Sequence, residues 1–160
     1  MTSEADIEAR FWKELRSSPV LMIGLVGASE AHAQPMHAFF DDDHGPIWFF
    51  TSRGNNLVAK LTQSHHAVAN FMAKNHAVFA TIHGQLNIEN DPAVIDHFWS
   101  REEAAWYKEG RDDPDITLLR LDASRAEIWL GGSKLGAAIE RLVGRDMKAA
   151  QAERTARVVL

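Results

Sequence analysis

Among its 160 residues the chain has no cysteine, which excludes disulfides, thiol nucleophiles and thiolate metal sites. Long apolar runs are also missing. The longest, Val20 to Val26, is strand-sized and contains Gly24, well short of the roughly 18 residues of a membrane span. Positive charge is in deficit: 17 Lys and Arg stand against 22 Asp and Glu, a formal net charge of -5. No nucleic-acid surface is expected, because such a surface has to neutralise phosphates. The one local exception, Arg141, Arg145, Lys148, Arg154 and Arg157 against Asp146 and Glu153, reads as a solvated helical tail. The first six residues are acidic and lack the basic and apolar regions of a signal peptide. The expectation is a cytoplasmic protein with no membrane partner. What is present, 46% hydrophobic and 24% charged residues, is ordinary globular composition. The length suits a single domain over 1–160, with an N-terminal helix over 1–18 and a flexible tail over 144–160.

Ser3 is a helix cap, with Asp6 three residues on. Ile7, Phe11 and Leu15 then form one apolar stripe, and Pro19 ends the segment. Short strands follow over Val20–Gly27, His32–Phe40 and Ile47–Thr51. The turn formers Asp41-Asp42-Asp43-His44-Gly45-Pro46 are expected to join the last two as a hairpin. Three consecutive aspartates lack the alternate spacing of a calcium loop, so this is a solvated turn. A helix is predicted over Asn55–Thr62 and a strand over Ala67–Met72. From His76 to Glu89 apolar and mixed residues alternate strictly, the mark of one long strand. Gly84 in its middle marks a bulge or a close backbone approach. Asp91-Pro92 starts a helix, a second one covers Glu102–Lys108, and strands follow over Ile116–Leu121 and Arg125–Leu130. Leu135, Ile139, Leu142 and Val143 suggest a final short helix. Six to seven strands without regular βα alternation argue for an antiparallel barrel or sandwich with helices over its ends.

Common chemical signatures are absent. There is no G-x-G-x-x-G, no phosphate-binding P-loop, no G-x-S-x-G elbow and no H-E-x-x-H. The eight histidines are scattered, and no metal site is expected. One segment stands out. Gln34-Pro35-Met36-His37 precedes the turn, and Phe50-Thr51-Ser52-Arg53-Gly54-Asn55 follows it, ending a strand and opening a helix. Hydroxyls, amides, a guanidinium and free helix N–H groups are equipment for holding a phosphate. The same residues also read as a plain helix start, with Asn55 as cap and Arg53 solvated. Spacing alone does not separate the two.

The ordered set Gln34-Pro35-Met36, Trp48-Phe49-Phe50-Thr51-Ser52-Arg53, His83-Gly84-Gln85-Leu86, Asn90-Asp91-Pro92, Ala105-Trp106-Tyr107, Asp112-Asp113-Pro114 and Ala126-Glu127-Ile128-Trp129 resembles the pyridoxamine 5′-phosphate oxidase-like flavoproteins, and most closely their general stress protein branch. The resemblance runs from Phe11 to Gly144. It implies a mainly β (α+β) antiparallel split barrel with peripheral helices, binding FMN, with FAD as the other candidate. It further implies that Gln34, Pro35, Met36 and His37 line the flavin ring. Phe50, Thr51, Ser52, Arg53 and Asn55 would form the turn that takes the phosphate, and Lys60 would be a further cation. Gln85 and His83 would be polar contacts from the long strand, Gly84 would admit a close approach, and Trp106 and Tyr107 would form a lid. A homodimer with two flavins at its interface is implied, working by hydride transfer at flavin N5 with a small substrate or nicotinamide donor. The alternatives are a flavin-binding stress or sensor protein without turnover, and a flavin-free interaction protein on the same barrel.

Overall fold

The computed structural model describes residues 2–28, 32–61, 63–132 and 147–160. The helix expected around Leu135–Val143 lies outside the described residues. The first element, α1 (Glu4–Ser17), begins as the sequence predicts. The Ser3 hydroxyl accepts from the Asp6 N–H at 3.1 Å, and the Asp6 carboxylate accepts from the Ser3 N–H at 3.1 Å. The Ser3 hydroxyl, which also donates to the Asp6 carboxylate at 2.6 Å, and then the Ser3 N–H hold the Asp6 carboxyl below its usual range. Ile7, Phe11, Trp12 and Leu15 are fully buried, and Phe11 meets Phe71 edge to face at 5.9 Å. The helix is a plug for the core.

Seven strands follow: β1 (Val20–Leu25), β2 (Gln34–His37), β3 (Ile47–Ser52), β4 (His65–Met72), β5 (Val78–Ile88), β6 (Ile116–Leu130) and β7 (Thr155–Val159). Six of them run in the order β2-β1-β4-β5-β6-β3, all neighbours antiparallel, and β7 adds to β6. Leu21, Ile23, Ile47, Phe49, Ala69, Ile82, Leu86, Leu119 and Ile128 point inward from these strands and fill the core with α1. Four short helices complete the described chain: α2 (Asn56–Lys60), α3 (Pro92–Phe98), α4 (Arg101–Ala104) and α5 (Met147–Ala152).

Three expectations are corrected. The two strands flanking the aspartate turn do not form a hairpin ladder. β2 pairs with β1 and β3 with β6, and the only backbone bridge between the two flanks joins Phe39 and Trp48. A turn of this length exceeds the usual hairpin loop of about 2–5 residues, so it imposes no register beyond the first pair. The aspartates themselves separate, Asp41 to His97 and Asp43 to Arg16.

The strands expected at Ile116–Leu121 and Arg125–Leu130 are one strand. Asp122-Ala123-Ser124 is a bulge opposite the His83/Gly84 step, not a turn. A Cβ on Gly84 would lie 2.4 Å from the Asp122 carbonyl oxygen. The close approach that Gly84 permits is therefore made by the protein's own backbone.

The tail is also built in. α5 leads into β7, which pairs Arg125–Trp129 through Thr155–Val159 and buries Ala156.

Candidate functional site

The two ends of the sheet, β2 and β3, part on one side of the Phe39–Trp48 bridge, and a cleft of about 320 Å³ opens there. Its walls are Gln34 to His37 from β2 and Phe50 to Ser52 from the end of β3. Asn55 at the start of α2 and Phe39 add to them, and Glu103, Trp106 and Tyr107 come from the segment after α3. The volume falls in the range of about 300–1,000 Å³ typical of small-molecule sites.

Local chemistry fixes each wall. Asn55 caps α2, its side-chain oxygen accepting from the Leu57 N–H at 2.8 Å. The same oxygen accepts from Gln34 Nε2 at 3.1 Å, while Asn55 Nδ2 donates to Gln34 Oε1 at 2.8 Å. This reciprocal amide pair ties β2 to the helix start across the seam. On the other wall Tyr107 is buried, and its hydroxyl donates to the Thr51 carbonyl at 2.9 Å. Burial first, then the charges of Asp115, Asp113 and Glu103, push that phenol up to about 12. It stays a donor at any physiological pH. Phe39 packs between His37, at 4.6 Å, and Phe50, at 5.3 Å. Trp106, at the rim, is 84% exposed.

Nine of the residues expected to hold a cofactor therefore meet in one place: Gln34, Pro35, Met36, His37, Phe50, Thr51, Ser52, Asn55 and Trp106. Three are elsewhere. Arg53 directs its Nη2 to the Pro114 carbonyl at 2.8 Å, and its backbone N–H bonds to Asp115. Lys60 is exposed at the far end of α2. Gln85 lies on the outer face of β5, accepting from the Ser64 hydroxyl at 3.0 Å. Tyr107, expected as a lid, is a buried strut. Phe39 and Glu103 were not anticipated. Phe39 follows His37 at strand spacing, and Ser100-Arg101-Glu102-Glu103 has the spacing of a capping box, so each carried a local signal. Among the described residues no group of three or more His, Asp or Glu side chains could hold a metal.

An antiparallel barrel left open along one seam, with an aromatic, amide-lined cleft in the opening, defines a split-barrel protein with a small-molecule site. The family model for pyridoxamine 5′-phosphate oxidase-like proteins matches residues 6–152, and the chain belongs to that family. A general stress family protein of Xanthomonas campestris pv. campestris is 46% identical, with a TM-score of 0.78 over 84% of this chain and 93% of that one. The general stress FMN/FAD binding protein of Xanthomonas citri is 44% identical, with a TM-score of 0.77 over 81% and 92%. General stress protein 26 of Jannaschia sp. CCS1 is 28% identical, with a TM-score of 0.80 over 98% and 99%. No curated protein matches the chain.

Proposed function

We propose that the cleft binds FMN and that the protein is a cytoplasmic flavin-dependent oxidoreductase acting on a small substrate. The observation that carries this reading is the convergence of Gln34–His37, Thr51, Ser52 and Asn55 on one cleft between the parted strands. The lining fits such a group. Apolar surface from Pro35, Met36, Phe39 and Phe50 suits a flat heterocycle, and amide and hydroxyl groups suit its polar edge and phosphate. Gln34, oriented by Asn55, would hydrogen-bond the ring. Thr51 and Ser52 would hold the phosphate. Bound there, the flavin supplies hydride transfer at N5; the chain supplies orientation and exclusion of water.

The reading includes a homodimer that covers the cleft. Trp106 stands exposed at its rim, and Val20, Met22, Met72 and Phe79 are exposed on the outer face of the sheet, a patch of the kind that marks association surfaces. Gln85, on that outer face, would reach a flavin only across such a seam. Sedimentation should give twice the chain mass, and Phe79→Asp should shift the species toward monomer; a wild-type monomer at tens of micromolar would refute the pairing.

Turnover is tested by mixing flavin-loaded protein anaerobically with NADH or NADPH. Bleaching of the oxidised spectrum is expected. An oxidised spectrum that persists with both donors would leave a flavin-binding stress protein without reductase activity.

A further inference from the structure

Among the described residues Glu103 is the only carboxylate that lines the cleft, and none of those lining residues is a lysine or arginine. The residue is only 7% exposed. One of its oxygens, Oε2, accepts the Ser100 hydroxyl. Its other oxygen, Oε1, has no hydrogen-bond or ion-pair partner among the described residues. A buried charge so poorly partnered is costly unless something else completes it. Asp115 and Asp113 add negative charge nearby, since both also act on the Tyr107 phenol. Arg53 reaches the same neighbourhood, but its guanidinium is bound to the Pro114 carbonyl and does not line the cleft.

We propose that Glu103 forms a substrate subsite for a cationic, hydrogen-bond-donating group such as an amidinium or a primary ammonium, and is the specificity-determining acceptor of this cleft. The assignment of this ligand as substrate rather than cofactor rests on the flavin reading above. Anionic substrates are disfavoured by the same carboxylate.

Benzamidinium and benzoate share a ring and carry opposite charge. Each is titrated into flavin-loaded protein, with the visible flavin spectrum and Trp106 emission as separate readouts and Trp106→Phe as the emission control. Benzamidinium is expected to bind at least tenfold tighter than benzoate. Glu103→Gln keeps the size and the acceptor for Ser100, and should reduce that preference to under threefold. Equal affinities in the wild type, or a preference that survives Glu103→Gln, would overturn the proposal. So would a tenfold loss of flavin affinity in Glu103→Gln with benzamidinium binding intact, because the carboxylate would then be a cofactor contact. If the protein takes up no flavin, the reading of the previous subsection fails. Trp106 emission then reports the two probes in the flavin-free cleft, where the same tenfold preference decides for or against Glu103.

Discussion

Strands β4 and β5 pair over eight positions and β5 and β6 over eleven, whereas β2 and β3, at the two ends of the sheet, meet through one bridge. The laddered half spends its backbone donors and acceptors on itself and packs fully buried aliphatic and aromatic side chains beneath α1. At the seam the hydrogen bonding passes to side chains: Gln34 to Asn55 and Tyr107 to Thr51. One region is held by burial, the other by a few directed polar contacts. That contrast teaches where stability and binding should separate under mutation.

The largest effect should come from the laddered half. Phe11→Ala, at a site with no exposure, is expected to cost about 3–5 kcal/mol in denaturant unfolding. Phe39→Ala, at the half-buried seam, should cost under about 2 kcal/mol; similar losses would break the distinction. Gly84→Ala forces a Cβ against the Asp122 carbonyl and should cost about 1–3 kcal/mol, with no change in flavin selectivity if the glycine serves the bulge alone.

Tyr107→Phe removes the bond to Thr51 and should cost about 1–2 kcal/mol. Because folding raises the Tyr107 pKa to about 12, its contribution should be complete below about pH 10 and shrink as pH climbs from there toward 12. A stability gap between wild type and Tyr107→Phe that widens above pH 10 would contradict this sign. Asn55→Ala loses both the cap and the Gln34 pair; about 1 kcal/mol of stability should go with at least a tenfold loss of flavin affinity, measured by fluorescence titration.

The smallest effect concerns His83, whose pKa is lowered by burial, then by Arg125 and His66. The neutral ring is favoured in the fold, so the protein should lose stability as pH falls below about 6.5, and His83→Gln should flatten that slope. A wild-type slope unchanged by the substitution would rule this group out as its source.

The laddered half was the more legible in the sequence, because period-two alternation over a dozen residues survives any error at the ends. Its one large misreading, the gap left between two strands at Asp122-Ala123-Ser124, fell where one strand carries a bulge. β7 escaped because Thr155-Ala156-Arg157-Val158-Val159 is short, and its buried Ala156 is a weak apolar signal. At the seam, the family resemblance pointed to Gln34–His37, and the strand end and helix cap pointed to Thr51, Ser52 and Asn55. The direction of the long side chains was not legible. Arg53 turns to Pro114 and Gln85 faces outward, because those choices depend on what the tertiary fold sets beside them. Glu103 carried a helix-start signal, but its burial in the cleft wall depends on the fold around it.

Titrating riboflavin 5′-phosphate into the purified, flavin-stripped protein, wild type beside Asn55→Ala and Gln34→Leu, probes the seam most directly. The account predicts saturation at one molecule per chain in the wild type, with affinity at least tenfold weaker in both variants. Absence of saturable uptake would contradict flavin binding, and uptake that neither substitution weakens would place the ligand somewhere other than between β2 and β3.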